Sequence, residues 1–293
     1  MRALIIGAGA AGRIHAEQLV ERGHEVTIFD TDAKKAEALA YACEAAAVED
    51  CEGEYDLSVV AVPTRYHYDY IVSELKNGRG VVAEKPLCLR ADEADEVARL
   101  SRALPSELYI AESQGYGGAA KMKQAVQTGH FGNPVIWRLC TMSKWRSQPW
   151  SYELETGGGA FLEGGVHMLT VARALFGEAV GWQGSFRNFM GGTGPDNGQL
   201  IIDYERGDMV TLTIAWGTED CFTGACPHLP NHHGIIGPKA CQSWFPGDDH
   251  ASMWSALLPA IEAGTQPFVT VEHAAGAVSD VWKCYEAGGV SLD

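Results

Sequence analysis

Met1-Arg-Ala-Leu-Ile-Ile-Gly7-Ala-Gly9-Ala-Ala-Gly12 decides the fold. Residues 2–6 are an apolar run of strand character, the glycines follow at once, and a helical pattern runs from Arg13 to about Arg22. In that order each glycine has its own use, in turn a tight turn, close approach of backbone to a pyrophosphate, and close contact between helix and strand. The first amides of the helix have no partner within it and are available to the phosphates. Gly7, Gly9, Ala10, Ala11 and Gly12 are therefore candidate cofactor-binding residues. A second strand, Glu25 to Phe29, ends at Asp30, 18 residues beyond Gly12. A carboxylate there accepts hydrogen bonds from ribose hydroxyls and repels a 2′-phosphate, which favours NAD over NADP. Lys34 and Lys35, a turn later, keep NADP as the alternative.

Outward from this stretch the chain alternates strand and helix. Asp32 to Ala42 reads as a helix, Ala45 to Val48 as a short strand, Leu57 to Val62 as a buried strand ending at Pro63-Thr64, Arg65 to Lys76 as a helix, and Gly80 to Ala83 as another strand. Such alternation gives a doubly wound parallel sheet, with ligands beyond the carboxyl ends of its strands. Glu84-Lys85-Pro86 stands at one such end. Lys85 could donate to a substrate oxygen and stabilise alkoxide character, or it could be a plain ion pair at a strand end.

The pattern changes at Gly115-Tyr-Gly-Gly118, which places a domain boundary near residue 118. Residues 1–118 then form the first domain and 119–293 the second. Ala119 to Thr128 reads as a helix, Val135 to Met142 as a strand, and 180–189, 199–204 and 209–216 as further strands, with helices at 251–263 and 271–285. This is an α+β layer following an α/β domain. Within it lies Thr156-Gly-Gly-Gly-Ala-Phe-Leu-Glu-Gly-Gly-Val-His167, glycines running into an apolar helix that carries Glu163 and His167. Residues four apart share a helix face, so the carboxylate and imidazole form a candidate acid/base pair, with Thr170 one turn on. Gly164 and Gly165 each cost about 1 kcal/mol relative to alanine, which implies a close neighbour there. Ahead of the glycines, Lys144, Trp145, Arg146 and Trp150 form an aromatic and basic loop that suits either a substrate wall or an oligomer contact.

Composition bounds the remaining choices. A net charge of −16, with 22 Lys plus Arg, excludes nucleic acid and anionic membranes as natural partners, and no apolar run reaches the ~20 residues of a membrane span. The eight cysteines, at 43, 51, 88, 140, 221, 226, 241 and 284, lack a disulfide-framework spacing, and the first residues read as a strand rather than a signal peptide. The expected compartment is the cytoplasm. Residues 220–241 hold Cys221, Cys226, His228, His232, His233 and Cys241 without a zinc-site spacing, so no metal is expected. His232 and His233 instead lead into a strand and are candidate substrate contacts.

Taken in order, Gly7 to His15, Pro63-Thr64 with His67, the block ending Glu84-Lys85-Pro86, the glycine pattern ending at His167, and Thr270-Val-Glu272 resemble the Gfo/Idh/MocA oxidoreductases, the group of glucose-fructose oxidoreductase and inositol dehydrogenase. The resemblance implies an amino-terminal nicotinamide-binding Rossmann domain and a second domain with a large, open, mostly antiparallel sheet that forms homo-oligomers, dimers or tetramers. It implies that Lys85 and His167 are the catalytic pair, and that Pro63, Thr64, His67, Glu84 and Lys85 join the cofactor site. Glu163 stands where the family has aspartate, and Thr170 where many members have another. The expected activity is NAD-dependent interconversion of a secondary alcohol and a ketone on a sugar, cyclitol or related small molecule, with Glu163 orienting His167 or binding a neighbouring hydroxyl. A biosynthetic reductase of an imine or unusual ketone, and a non-catalytic nicotinamide sensor, are the rival readings.

Overall fold

The computed structural model describes residues 1–116, 118–143, 148–217, 233–244, 246–247 and 249–291. The first sheet comprises β1 (Arg2–Ile6), β2 (Glu25–Phe29), β3 (Ala46–Val48), β4 (Leu57–Val60), β5 (Gly80–Glu84) and β6 (Leu108–Ala111), joined through helices α1 (Ala10–Glu21), α2 (Ala33–Cys43), α3 (His67–Lys76) and α4 (Ala91–Ala103). Its order is β3-β2-β1-β4-β5-β6 and every pairing is parallel. Alternation within each strand explains the double winding. Ala3 and Ile5 face one side with Val59 and Val82, against Leu19 of α1 and Leu39 of α2. Leu4 and Ile6 face the other with Val60 and Val81, against Ile71 of α3 and Val97 of α4. α4 and β6, which the sequence pattern leaves unassigned, complete the sheet.

The second sheet contains β7 (Ile136–Ser143), β8 (Ala179–Arg187), β9 (Asn197–Tyr204), β10 (Met209–Trp216), β11 (Gly234–Ile236) and β12 (Cys241–Ser243), in the order β12-β11-β7-β10-β9-β8. Only the β7–β10 pairing is parallel, so the sheet is mostly antiparallel. α5 (Ala119–Gln127), α6 (Val166–Phe176), α7 (His250–Ala263) and α8 (Val271–Ala287) complete the fold. One face of this sheet, including Leu200, Leu212 and Ile214, is buried against α6 and α8 in the same core that covers the second face of the first sheet. α7 returns to the amino-terminal sheet: Met253, Trp254 and Leu257 join the core beneath α1, and Arg22 donates to the Ala251 carbonyl at 3.0 Å.

The glycine-rich helix begins differently from a plain α-helix. Phe161–Gly165 forms a wider π-type turn before α6 starts at Val166. Gly158 and Gly159 hold φ of 74° and 77°, a region that favours glycine, and a Cβ on Gly159 would stand 2.6 Å from the Pro195 carbonyl oxygen. The close neighbour expected of Gly164 and Gly165 is β10. Added Cβ atoms would meet Trp216 at 3.3 Å and Leu212 at 3.1 Å.

One buried ion pair fastens α6 to α8. Arg173 donates to both carboxylate oxygens of fully buried Asp280, at 2.7 and 3.0 Å, and the Trp182 indole adds a third donor at 2.8 Å. The remaining carboxylate neighbour of Arg173, Glu178, is largely exposed. Asp280→Ala therefore leaves a buried guanidinium without its main partner and should destabilise the fold by about 3–5 kcal/mol, read as a lower urea midpoint at unchanged slope.

Candidate active site

At the carboxyl ends of the first sheet's strands lies a cavity of ≈ 540 Å³. Its walls come from both halves of the chain: Gly9, Ala10 and Ala11 at the start of α1, Pro63 and Thr64 after β4, Glu84 and Lys85 at the end of β5, and Glu163 and His167 from the glycine-rich helix. Gly7 holds φ of 110°, and a Cβ there would come 2.5 Å from the Ala61 carbonyl oxygen, so the first glycine makes the tight turn. Gly12 lies against the Gly7 carbonyl, which explains the third glycine. Gly9 differs: nothing lies within 4 Å of its would-be Cβ, it makes no side-chain cap to α1, and it borders the cavity. Backbone amides and a helix amino terminus thus open onto space that a side chain would fill, which fits a dinucleotide's phosphates.

Asp30 stands outside the cavity walls, at the end of β2. Its carboxylate accepts from the Ala8 amide at 2.8 Å and the Asp32 amide at 2.9 Å, so it braces the glycine turn from behind with lone pairs remaining. His67 borders the cavity, but its ring nitrogens lie 2.7 Å from the Pro86 carbonyl and 2.8 Å from that of Val62. It ties together the two loops that follow β4 and β5, and burial holds its imidazole below the ordinary range. What it presents to a ligand is ring surface.

Lys85 is organised by carboxylates. Its ammonium donates to Glu163 Oε1 at 3.1 Å and to the Glu163 carbonyl at 3.0 Å. Burial works against its charge, but Glu163, Glu84 and Glu112 outweigh that and hold the amine above its ordinary value. Glu84 accepts from the Lys85 amide at 3.0 Å through Oε2, while Oε1 lies 2.8 Å from His15 Nε2. The Trp254 indole, which can only donate, points at His15 Nδ1 at 3.0 Å. His15 therefore carries its proton on Nε2 and donates it to Glu84. Burial also opposes the charge of Glu84, yet the hydrogen bond from His15 and the charge of Lys85 hold the carboxyl down to about 2.

The acid/base pair differs from the one expected of the helix periodicity. His167 Nδ1 faces Glu112 Oε1 at 2.7 Å, whereas Glu163 turns to Lys85 and, at 3.4 Å, to the Thr64 hydroxyl. The π-type turn between the two residues changes the angular step that a regular helix would give. Glu163 and His167 border one cavity but take different partners, so Glu163 does not orient the imidazole. Thr170 is also corrected. It is buried outside the cavity and its hydroxyl donates back to the Val166 carbonyl at 2.8 Å, an ordinary helix contact. His233 lies elsewhere, accepting from the Cys140 amide at 3.3 Å beside β11 and β7, away from Lys85. Trp150 does border the cavity. Lys144, Trp145, Arg146 and His232, with Cys221, Cys226 and His228, lie outside the described residues.

Several residues at or behind the cavity wall escape a reading of the sequence: Glu112 is buried behind His167, while Trp216 and His250 line the cavity itself. Glu112 follows β6 as Lys85 follows β5, and that shared signal, a charged residue directly after an apolar strand, could have found it. Trp216 reads as the end of a strand, and His250 reaches the cavity from α7, a placement only the chain's return creates. Among the described residues no group of three or more His, Cys, Asp or Glu side chains is arranged to hold a metal ion. No helix there is long and apolar enough to cross a membrane.

Comparison with known proteins bears on both halves. The model of the oxidoreductase family with an NAD-binding Rossmann fold matches residues 1–110, and that of the Gfo/Idh/MocA carboxyl-terminal domain matches residues 119–225. The rhizopine catabolism protein MocA of Rhizobium meliloti is 26% identical over 277 residues, 88% of this chain and 83% of that protein. An inositol 2-dehydrogenase from the same species is 25% identical over 181 residues, 59% of this chain and 54% of the enzyme. The chain thus spans about half the length of several curated relatives it matches. The crystal structure of GenD2 from gentamicin A biosynthesis, in complex with NAD, superposes with a TM-score of 0.85 at 17% identity, covering 99% of this chain and 94% of that one, a likeness of fold.

The Glu84 network makes a pH-dependent contribution to stability. The carboxyl sits at about 2 when folded, against an ordinary 4.5, so its stabilisation is complete above about pH 4.5 and is lost as the pH falls towards 2. Urea midpoints measured through that interval should fall more steeply for the wild type than for Glu84→Gln, and parallel curves would contradict the assignment.

Proposed function

Because the chain belongs to the Gfo/Idh/MocA oxidoreductase family, we propose that it is an NAD-dependent dehydrogenase interconverting a secondary alcohol and a ketone on a sugar, cyclitol or related polyhydroxylated small molecule. The observation that carries this reading is the convergence of Lys85, Glu163 and His167 on the cavity bordered by Gly9, Ala10 and Ala11. A cation for an alkoxide and an imidazole for its proton stand beside a cradle for a dinucleotide. The names of similar proteins, inositol 2-dehydrogenase and the D-glucoside 3-dehydrogenase of Escherichia coli, support the substrate class.

In this reading the amides of Ala10 and Ala11 hold the pyrophosphate, Asp30 the adenosine ribose, and Pro63, Thr64 and the ring of His67 the wall beyond. NAD supplies the hydride acceptor. His167 takes the hydroxyl proton when the substrate is oxidised, and Lys85 stabilises the negative charge developing on that oxygen. Glu163 keeps the ammonium aimed into the cavity and accepts from a neighbouring hydroxyl. Trp150 and Trp216 offer apolar surface for the carbon face of a ring.

The division of labour assigns the cofactor to residues 1–118 and the substrate to 119–293, with α7 returning to brace the first domain. Ile136 and Ile236, paired in register on the more exposed side of the second sheet, are 37% and 46% exposed, which supports a homo-oligomer through that sheet. The free cysteines Cys43, Cys51, Cys88, Cys140, Cys241 and Cys284 support the cytoplasm as its compartment.

Absorbance at the reduced-nicotinamide band, followed across a panel of sugars, cyclitols and amino sugars with NAD, tests the proposal. Turnover is expected with one stereochemical subset and should fall on the order of 10²-fold or more in both Lys85→Ala and His167→Ala. Near wild-type turnover in both variants would refute it.

A further inference from the structure

We propose that Glu112 is the positioning residue of His167: it holds the imidazole with the proton on Nδ1, leaves Nε2 as the nitrogen presented to the cavity, and stabilises the imidazolium once Nε2 has taken a proton. This rests on His167 acting as the base. Glu112 is the first residue beyond β6, where a short turn, Ser113–Gly115, carries the chain under α6. Its side chain is fully buried, and Oε1 lies 2.7 Å from His167 Nδ1 while also accepting from the Gln114 amide at 3.1 Å. Oε1 is therefore an acceptor towards the backbone, and an acceptor facing Nδ1 requires the proton to be on Nδ1. The opposite ring nitrogen is left with its lone pair on the side chain that borders the cavity.

A turn-capping role alone does not account for Glu112. Its second oxygen, Oε2, is buried with no hydrogen-bond partner among the described residues, and the nearby Tyr116 hydroxyl is in the same condition. Burial, and then the charge of Glu112, pushes the Tyr116 phenol up, so the tyrosine remains a neutral neighbour. A buried carboxylate with one unpaired oxygen is expensive, and an asparagine or serine would cap the same turn with less penalty. What the carboxylate adds is a negative charge one hydrogen bond from the imidazole. The other charges facing His167 are Lys85 and Glu163 across the cavity and Glu84 behind Lys85. Lys85 disfavours an imidazolium, and Glu163 is engaged by that same lysine. Glu112 is the carboxylate in direct contact with the ring. When a substrate hydroxyl gives its proton to Nε2, the ring becomes a cation with both nitrogens protonated, and the Nδ1–H bond to Glu112 becomes charge-assisted. The oxygen left behind is stabilised by Lys85, so the proton moves between two sites that each already hold an opposite charge.

Nitrogen NMR of the histidine rings tests this without a substrate. In the wild type His167 should show the Nδ1–H tautomer, and an Nε2–H tautomer would overturn the proposal even if no variant folded. In Glu112→Gln, which keeps the size and an acceptor for the Gln114 amide, the His167 titration should move down by about one pH unit or more, roughly tenfold in proton affinity. An unmoved midpoint together with an unmoved tautomer would assign Glu112 to the turn alone. With a substrate in hand, the acid limb of kcat in the oxidising direction should shift down by the same amount and the plateau fall, with KM changed much less and NADH affinity preserved. Glu112→Asp, which restores charge at shorter reach, should recover part of both shifts. Loss of turnover in Lys85→Ala and His167→Ala alongside an unshifted Glu112→Gln would overturn the pairing and leave the dehydrogenase standing. Retained turnover in both would remove the dehydrogenase, while the ring titration would still judge the pair.

Discussion

A helix can carry Glu163 and His167 to Lys85 and Glu112 only if it lies hard against β10, and Gly164 and Gly165 permit that approach. With side chains at those positions, Trp216, Leu212 and Ile214 would be pushed back or the helix would stand off the sheet. Each glycine is a penalty to the helix taken alone, offset by close packing that a larger residue would prevent. The π-type turn belongs to the same device. It directs Glu163 to the lysine while α6 brings His167 over the end of β6. The geometry of the candidate site depends on backbone proximity, because side-chain reach tolerates only a fraction of an ångström.

Around that contact the polar and charged groups are buried or half-buried in linked pairs. Trp254 fixes the tautomer of His15, His15 donates to Glu84, Glu84 accepts from the Lys85 amide, and the Lys85 ammonium meets Glu163. Each member removes a desolvation penalty that its neighbour would otherwise bear. The chain of contacts begins on α7 at the carboxyl end, runs through α1 and β5, and ends on the glycine-rich helix. Arg173 and Asp280 fasten α6 to α8 in the same manner, at a distance from the chemistry.

The legible parts of the site were those in which one residue type at one spacing has a single physical use. Gly7, Gly9 and Gly12 in their strand-to-helix setting fall in this class, whereas Lys85 after β5 was legible with an ion pair as its other reading, and Asp30 after β2 stands outside the cavity walls and braces the glycine turn. Both sheets were foreseen in type, and Gly164 and Gly165 announced a close neighbour. The partner of His167 was not legible, because regular periodicity pointed to Glu163 and the wider turn altered the step. Thr170 looked functional on the same periodicity and proved to be an ordinary back-bonded threonine. His233 looked available because nothing in its local sequence shows the β7 amide that it accepts from.

Local sequence determined what can be read within a few residues of the chain: the glycine turn, the alternating strands and helices, the acidic surplus, and the presence of a lysine and a histidine fit for proton and alkoxide chemistry. Tertiary structure alone decided which carboxylate serves which cation. Glu112 and His167 are 55 residues apart, Lys85 and Glu163 are 78, and Trp254 and His15 are 239. Partnerships of that kind arise when two sheets and their helices close on one core, and charge pairing depends on the resulting distances and burial, which no spacing along the chain encodes.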